Sequence, residues 1–287
     1  MSKKPRRQNL KPPGRCVFCL DGAVPGNPMT GEHLWSDWMS KAKLLPEGGE
    51  YIEFKNTFRR QSSESISLFT RTRQGTANTK TIKVVCQRCN SGWMGTLERE
   101  ARPFLTPLIQ GASILLDSRI RRTLAEWVVM KVLIAEHNQY SGHPADPIFD
   151  QAARTTFKGS RAIPDGIRIV IGMQESMKWV TGFHRHATGL GFTSNLPPSP
   201  PPITRTKNVQ SVTWGMGKFL VHVTAATDPN VFGMFALEQT ESLQALWPLT
   251  IADITWPPRF FVTDPFIDDL ASALERYINS PSVIHLD

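Results

Sequence analysis

The chain has 287 residues and a mass of 32.2 kDa, long enough to bury about 75% of the surface its unfolded form exposes without a disulfide scaffold. Hydrophobic residues at 40%, charged residues at 20% and a mean hydropathy of −0.25 exclude collagen-like and wholly disordered classes. The apolar runs are short: Trp127-Val128-Val129-Met130 ends at Lys131, far from the roughly 18 residues of a membrane span. The net charge is +8 and the sequence pI is near 9.5.

Lys3, Lys4, Arg6, Arg7, Lys11 and Arg15 supply six positive charges before the first acid, Asp21. With Pro5, Pro12 and Pro13, residues 1–15 read as a disordered basic arm. Such an arm either binds phosphates and gains affinity through counterion release, or acts only as a solubilising tail. No apolar stretch follows it, so no secretory signal is expected and the expected location is cytoplasmic.

Residues 16–110 are expected to form a first unit and 118–287 a second. Gly22–Gly31 is rich in turn residues (Pro25, Gly26, Asn27, Pro28). His33–Lys43, carrying Leu34, Trp35, Trp38 and Met39, predicts a short helix or extended segment. Tyr51–Phe58 and Ser65–Arg71 alternate as the strands of a hairpin would, and Thr81–Val85 predicts a further strand. Trp93, Leu97, Ala101 and Phe104 recur at helical spacing, with Pro103 placed near the stop. Leu124, Trp127, Val128, Val132 and Ala135 predict an amphipathic helix over 119–136. Strands are predicted at Ile167–Met173, Lys178–Phe183, Ser211–Ala225 and Val231–Leu237. The proline run at 196–202 reads as an exposed, polyproline-like loop. Asp264-Pro265 reads as the N-cap and first position of a terminal helix continuing through Leu270, Leu274 and Ile278. The fold class is therefore α+β.

The four cysteines carry the clearest chemistry. They fall as two pairs, Cys16-x2-Cys19 and Cys86-x2-Cys89, and there are no others. A disulfide framework is not expected in a reducing compartment, and a thioredoxin-like pair would leave the second knuckle unexplained. Two C-x2-C knuckles present four thiolates tetrahedrally to Zn²⁺, and four thiolates leave no open position, so this zinc would be structural.

Between the knuckles stands Gly31-Glu32-His33-Leu34-Trp35, and directly after the second comes Asn90-Ser91-Gly92-Trp93-Met94. C-x2-C, then an acid–histidine pair, then C-x2-C-Asn resembles the HNH endonucleases, in their zinc-stapled ββα-metal branch, over about residues 16–100. The tract 84–98 is similar to bacterial and phage HNH-like proteins. The resemblance implies an N-terminal ββα-metal domain, followed by an α+β domain of unknown type, and a one-metal phosphodiesterase acting on DNA. In it Glu32 and Asn90 would bind a catalytic Mg²⁺ or Mn²⁺, and His33 would be the general base. Histidine suits that role near neutral pH, and oxygen donors suit a hard cation. Trp93 or Met94 stands where the family often carries His, Asn or Lys, and Asn78 is the nearest candidate for the family's orienting asparagine. A non-catalytic zinc-stapled module binding nucleic acid or protein, with the second unit as sensor or partner-binding part, is the alternative.

Trp35, Trp38, Trp93 and Met94 are expected to pack a small core beneath the zinc. His184 and His186 are expected on an exposed strand, with a second metal site there as the alternative. His137 and His143 are expected at the surface.

Overall fold

The computed structural model describes residues 14–46, 50–56, 68–74, 80–138, 147–192, 207–235, 240–249, 252–274 and 283–285. Helix and strand alternate along it, an α+β composition as expected.

The first knuckle opens the described chain. Arg15 forms an antiparallel bridge with Gly22, and Leu20 takes φ +60° as the chain doubles back from Cys16 to Asp21. Strand β1 (Met29–His33) then pairs antiparallel with β4 (Thr81–Cys86), with a bulge between Thr30 and Glu32. The hairpin predicted near 51–71 is present as β2 (Glu50–Asn56) and β3 (Leu68–Gln74). It does not stay within the first unit. β2 runs parallel to β7 (Phe183–Thr188), so the hairpin extends a seven-stranded sheet of order β11-β6-β10-β9-β7-β2-β3.

After β4 the chain makes a short turn, α2 (Gln87–Cys89), and a wider π-type turn over Asn90–Met94, where Gly92 leaves helical geometry at ψ −112°. Helix α3 (Gly95–Gln110) follows. Here the expected stop at Pro103 is corrected: the helix continues through Pro103 and Pro107 and ends where Gly111 takes φ +75°. The two prolines lie four apart on the outer side, and buried Leu97, Ala101, Leu105 and Leu108 anchor the inner side strongly enough to outweigh two lost backbone bonds.

Helix α4 (Ser118–Ala135) matches its prediction and is capped by Asp117, whose Oδ1 accepts from Ile120 N at 2.7 Å. It is flanked by β5 (Ile114–Leu116), which pairs with β12 (Ile254–Trp256), and followed by α5 (Gln151–Ser160). β6 (Ile167–Met173) is as predicted. The strand expected at Lys178–Phe183 is instead a turn, fixed by Ser176 Oγ accepting from Trp179 N at 2.7 Å, and the strand begins at Phe183. The single strand expected over Ser211–Ala225 is two, β9 (Val209–Met216) and β10 (Phe219–Ala226). They reverse at Gly217-Lys218, where Gly217 takes φ +57°. The strand expected from Val231 is helix α6 (Pro229–Phe235), begun by Pro229, with Asp228 Oδ1 accepting from Asn230 N. β11 (Gln244–Trp247) pairs with the sheet edge, and β8 (Leu190–Phe192) pairs with β13 (Val283–His285). Helix α7 (Asp264–Ala271) has Thr263, not Asp264, at its N-cap position. The proline run, Asn78, His143, Ile278 and residues 1–13 of the arm lie outside the described residues.

One buried cluster runs from Cys16 to Trp256 and takes residues from both predicted units. Trp127 of α4 stacks on Trp214 of β9 at 5.2 Å, and Trp35 meets the same ring edge-on at 6.3 Å while its Nε1 donates to Gly215 O. Trp35 therefore packs against the large sheet, whereas Trp93 packs at the knuckle, edge-on to Phe18 at 5.0 Å. The opposite face of the sheet is covered by Trp179 and α7. His184 and His186 belong to that sheet's interior, at 1% and 3% exposure, which corrects the expected exposed strand. Burial pushes the His184 imidazole down to about 4. Burial, with His184 nearby, pushes His222 down to about 3. Both are neutral at pH 7. His137 is half-buried. No helix of the described residues is long and apolar enough to cross a membrane.

Candidate metal centre and the adjoining acid–histidine site

The two knuckles meet because the segments around them are stitched together through the backbone. Val17 N donates to Val84 O at 3.0 Å, Gln87 N to Pro28 O at 2.8 Å, and Arg88 N to Asn27 Oδ1 at 2.9 Å. These bonds fold the loop before β1 over the end of β4. The sulfurs of Cys16, Cys19, Cys86 and Cys89 all lie within 4.8 Å of one another. Cys19 and Cys86 Sγ are 3.6 Å apart, outside the roughly 2.05 Å of a disulfide. A tetrahedron with Zn–S near about 2.3 Å places its sulfurs about 3.8 Å apart, so the cluster has the dimensions to hold a metal ion such as zinc.

Its electrostatics are those of thiols sharing protons. A hydrogen bond from Cys89 outweighs burial and holds the Cys16 thiol down at about 4. Burial pushes Cys19 up to about 12, and the Cys16 thiolate, together with burial, pushes Cys89 upward too. One thiolate, that of Cys16, is thus favoured at neutral pH while Cys19 and Cys89 are held toward the thiol, and a dication that binds would displace those protons.

The post-knuckle asparagine is tied to the strand that ends in the acid–histidine pair. Glu32 and His33 close β1, opposite Ile82 and Thr81. Asn90, at the first turn after Cys89, donates its Nδ2 to Thr30 Oγ1 at 3.0 Å and to Gly31 O at 3.4 Å. The asparagine is therefore fastened to the strand that bears Glu32 and His33, not merely a helix cap.

Glu32 has a partner that the sequence did not disclose. It is 7% exposed, and its Oε1 accepts from Lys131 Nζ of α4, which is 1% exposed. Lys131 also lies 3.4 Å from Glu98 Oε1 and donates to His33 O at 3.0 Å. Glu98, on the first turn of α3, accepts from Ser36 Oγ as well. Burial opposes the charged form of Lys131, but the attraction of Glu32 and Glu98 prevails and holds its pKa above the ordinary lysine value. Burial likewise pushes Glu98 up, while Lys131 and the Ser36 hydroxyl pull it down, and the net direction is down.

Two side-chain oxygens next to this frame are left over. Glu32 Oε2 and Asn90 Oδ1 take no hydrogen bond among the described residues, and both are oxygens. Beyond the four cysteines, no group of three or more Cys, His, Asp or Glu converges on one point among the described residues. Comparison with protein-family models, with curated proteins and with solved structures finds no match.

Proposed function

We propose that this chain is a metal-dependent, HNH-like endonuclease that hydrolyses phosphodiester bonds in DNA, with Cys16, Cys19, Cys86 and Cys89 holding a structural Zn²⁺. The observation that carries the reading is the Asn90 amide bonded to Thr30 Oγ1 at 3.0 Å, which joins the post-knuckle asparagine to the Glu32–His33 strand. The order of antiparallel β1 and β4 followed by α2 and α3 supports the same reading, because it is the order the ββα-metal resemblance calls for.

In this reading the zinc staple sets the register of β1 against the helix, and Glu32 and Asn90 hold Mg²⁺ or Mn²⁺ through the oxygens left open to them. When bound, that ion supplies charge stabilisation on the scissile phosphate and the leaving oxygen. His33, half-buried at the end of β1, takes the proton of the attacking water through its ring. Its backbone carbonyl is fixed by Lys131 and the next amide, Leu34 N, is fixed by Lys80 O at 3.0 Å, so the ring is carried on an immobile segment. The basic arm adds affinity for the phosphate backbone without sequence preference.

One observation favours the non-catalytic alternative. The Lys131 ammonium already sits between Glu32 and Glu98, so the acids are partly neutralised by the protein itself. Nicking of supercoiled plasmid in Mg²⁺, Mn²⁺ or EDTA separates the two. Cleavage is expected with either metal and not with EDTA. His33→Ala should lower the rate about 10²- to 10⁴-fold with zinc content unchanged. A wild type that cleaves neither single- nor double-stranded DNA or RNA in any metal is a binding module.

A further inference from the structure

We propose that Lys131 is a positioning residue of this site, holding the Glu32–His33 strand in place and lowering the site's affinity for its divalent ion. The inference rests on the nuclease reading above.

Lys131 stands in a stretch of α4 that is buried without a break from Leu124 to Glu136. A lysine in such a place is tolerated only when its charge is matched and its donors are used. Both requirements are met by residues of the site: the Glu32 and Glu98 carboxylates match the charge, and the Glu32 carboxylate and the His33 carbonyl accept from the ammonium. Glu98 in turn accepts from Ser36. The segment 32–36 is thereby pinned at three points, by the Glu32 side chain, the His33 carbonyl and the Ser36 hydroxyl. Lys131 and Glu98 supply the pins from α4 and α3. The indole of Trp127, 5.8 Å from Nζ, closes the remaining side. No part of this frame comes from the cysteine cluster, so Lys131 and Glu98 hold the 32–36 segment by contacts made in addition to the zinc staple.

The charge count gives the second half of the inference. Two carboxylates face one ammonium, which leaves a single net negative charge beside the open Glu32 Oε2 and Asn90 Oδ1. A bare pair of carboxylates would bind a dication more tightly. Lys131 exchanges part of that affinity for a fixed strand, and a weakly held ion is free to be shared with substrate phosphate.

Removing the ammonium should therefore move two quantities in opposite directions. In full-length Lys131→Met, Mn²⁺ followed by the electron paramagnetic resonance of the free ion, without DNA, should bind about tenfold tighter. The nicking rate at saturating Mn²⁺ should fall about 10- to 100-fold, because His33 loses its carbonyl anchor. A merely loosened fold lowers the rate without tightening the ion. Glu98→Gln keeps the Lys131–Glu32 pair, removes the surplus charge and should weaken Mn²⁺ binding about tenfold. It decides the matter if Lys131→Met does not fold. Unchanged Mn²⁺ affinity in the variant that folds overturns the proposal, whether or not the wild type nicks. If the wild type cleaves nothing but Mn²⁺ still binds tighter in Lys131→Met, the nuclease reading falls and the role of Lys131 in setting ion affinity stands.

Discussion

Among the buried charged residues of helix α4 and its C-cap, Lys131 and Glu136 lie five apart and sit in unlike surroundings. Glu136, at its C-terminal end, is fully buried and accepts from the Arg154 guanidinium, from Gln210 Nε2 at 2.7 Å and from Ile148 N at 3.3 Å. Arg154 Nη1 donates to Phe149 O and Asp150 O, while its Nε is buried without a hydrogen-bond partner among the described residues. That network is closed off from solvent by burial, with one carboxylate and one guanidinium directly on it. Lys131 faces two carboxylates, of which Glu98 keeps 26% of its side chain exposed. The pKa directions separate them as well. Burial, opposed by Arg154 and Arg185, leaves the Glu136 carboxyl raised, whereas at Glu98 the attraction of Lys131 prevails over burial and leaves it lowered. A balanced, closed network fits a role in holding α4, α5 and β9 together. An unbalanced one that opens beside an acid–histidine pair has capacity to spare for a ligand.

The comparison breaks most severely if the knuckles are emptied. In the proposed reading, structural zinc contributes folding free energy of the order seen for zinc fingers, about 10–16 kcal/mol as an apparent binding term at neutral pH. Chelation should open β1, β4 and the start of α3 and so dismantle the Lys131 frame, while the Glu136 network contains no thiol and should outlast it. Amide hydrogen exchange checks this: protection should vanish first across 16–100 and persist in α4, α5 and β9. Simultaneous loss everywhere would show that the shared core makes the chain one cooperative unit.

Next in size is Arg154→Ala. It strands Glu136 without its guanidinium, and breaking one partner of a buried pair costs about 3–5 kcal/mol. Urea denaturation should register that loss, with metal content unchanged. Charge removal at Glu136 as well should recover much of it, since the cost belongs to the carboxylate left behind.

Some of this architecture was legible in the sequence, and the reasons are physical. Cysteine pairs have few other uses in a chain with just four of them, so the cluster could be read from spacing alone. The β2–β3 hairpin and α4 showed in their periodicities, but that β2 would join the large sheet through a parallel pairing with β7 is set by contacts about 130 residues apart, which periodicity does not record. In sequence β9 and β10 look like one strand because little but Gly217 marks the reversal, and α6 resembles a strand because a short apolar run suits either element. Glu32, His33 and Asn90 stood out by order. Lys131 did not, since a lone lysine ordinarily marks the exposed side of a helix and its partner Glu32 is 99 residues away. The available signal was Trp127–Ala135, apolar on every side of Lys131: a helix buried all round obliges any charge within it to have a partner.

The smallest expected effect is also the one that sets the two networks directly against each other. Glu98 has a folded pKa below its unfolded one, so its contribution to stability is fully present above the unfolded value, near about 4.3, and is lost as pH falls through the lower folded value. Glu136 has a folded pKa above its unfolded one, so the folded state holds that proton more firmly. Its contribution is most favourable at acid pH and diminishes as pH rises from about 4.3 through the folded value. Glu98→Gln should therefore flatten the acid limb of the stability–pH profile, and Glu136→Gln should flatten the limb on the alkaline side of about pH 4.3. Thermal denaturation across pH 3–8 reads both slopes in one series. Were the two variants to alter the same limb, the two carboxylates would be answering to the same force, and the distinction between a network closed by burial and one left open by surplus charge would fail.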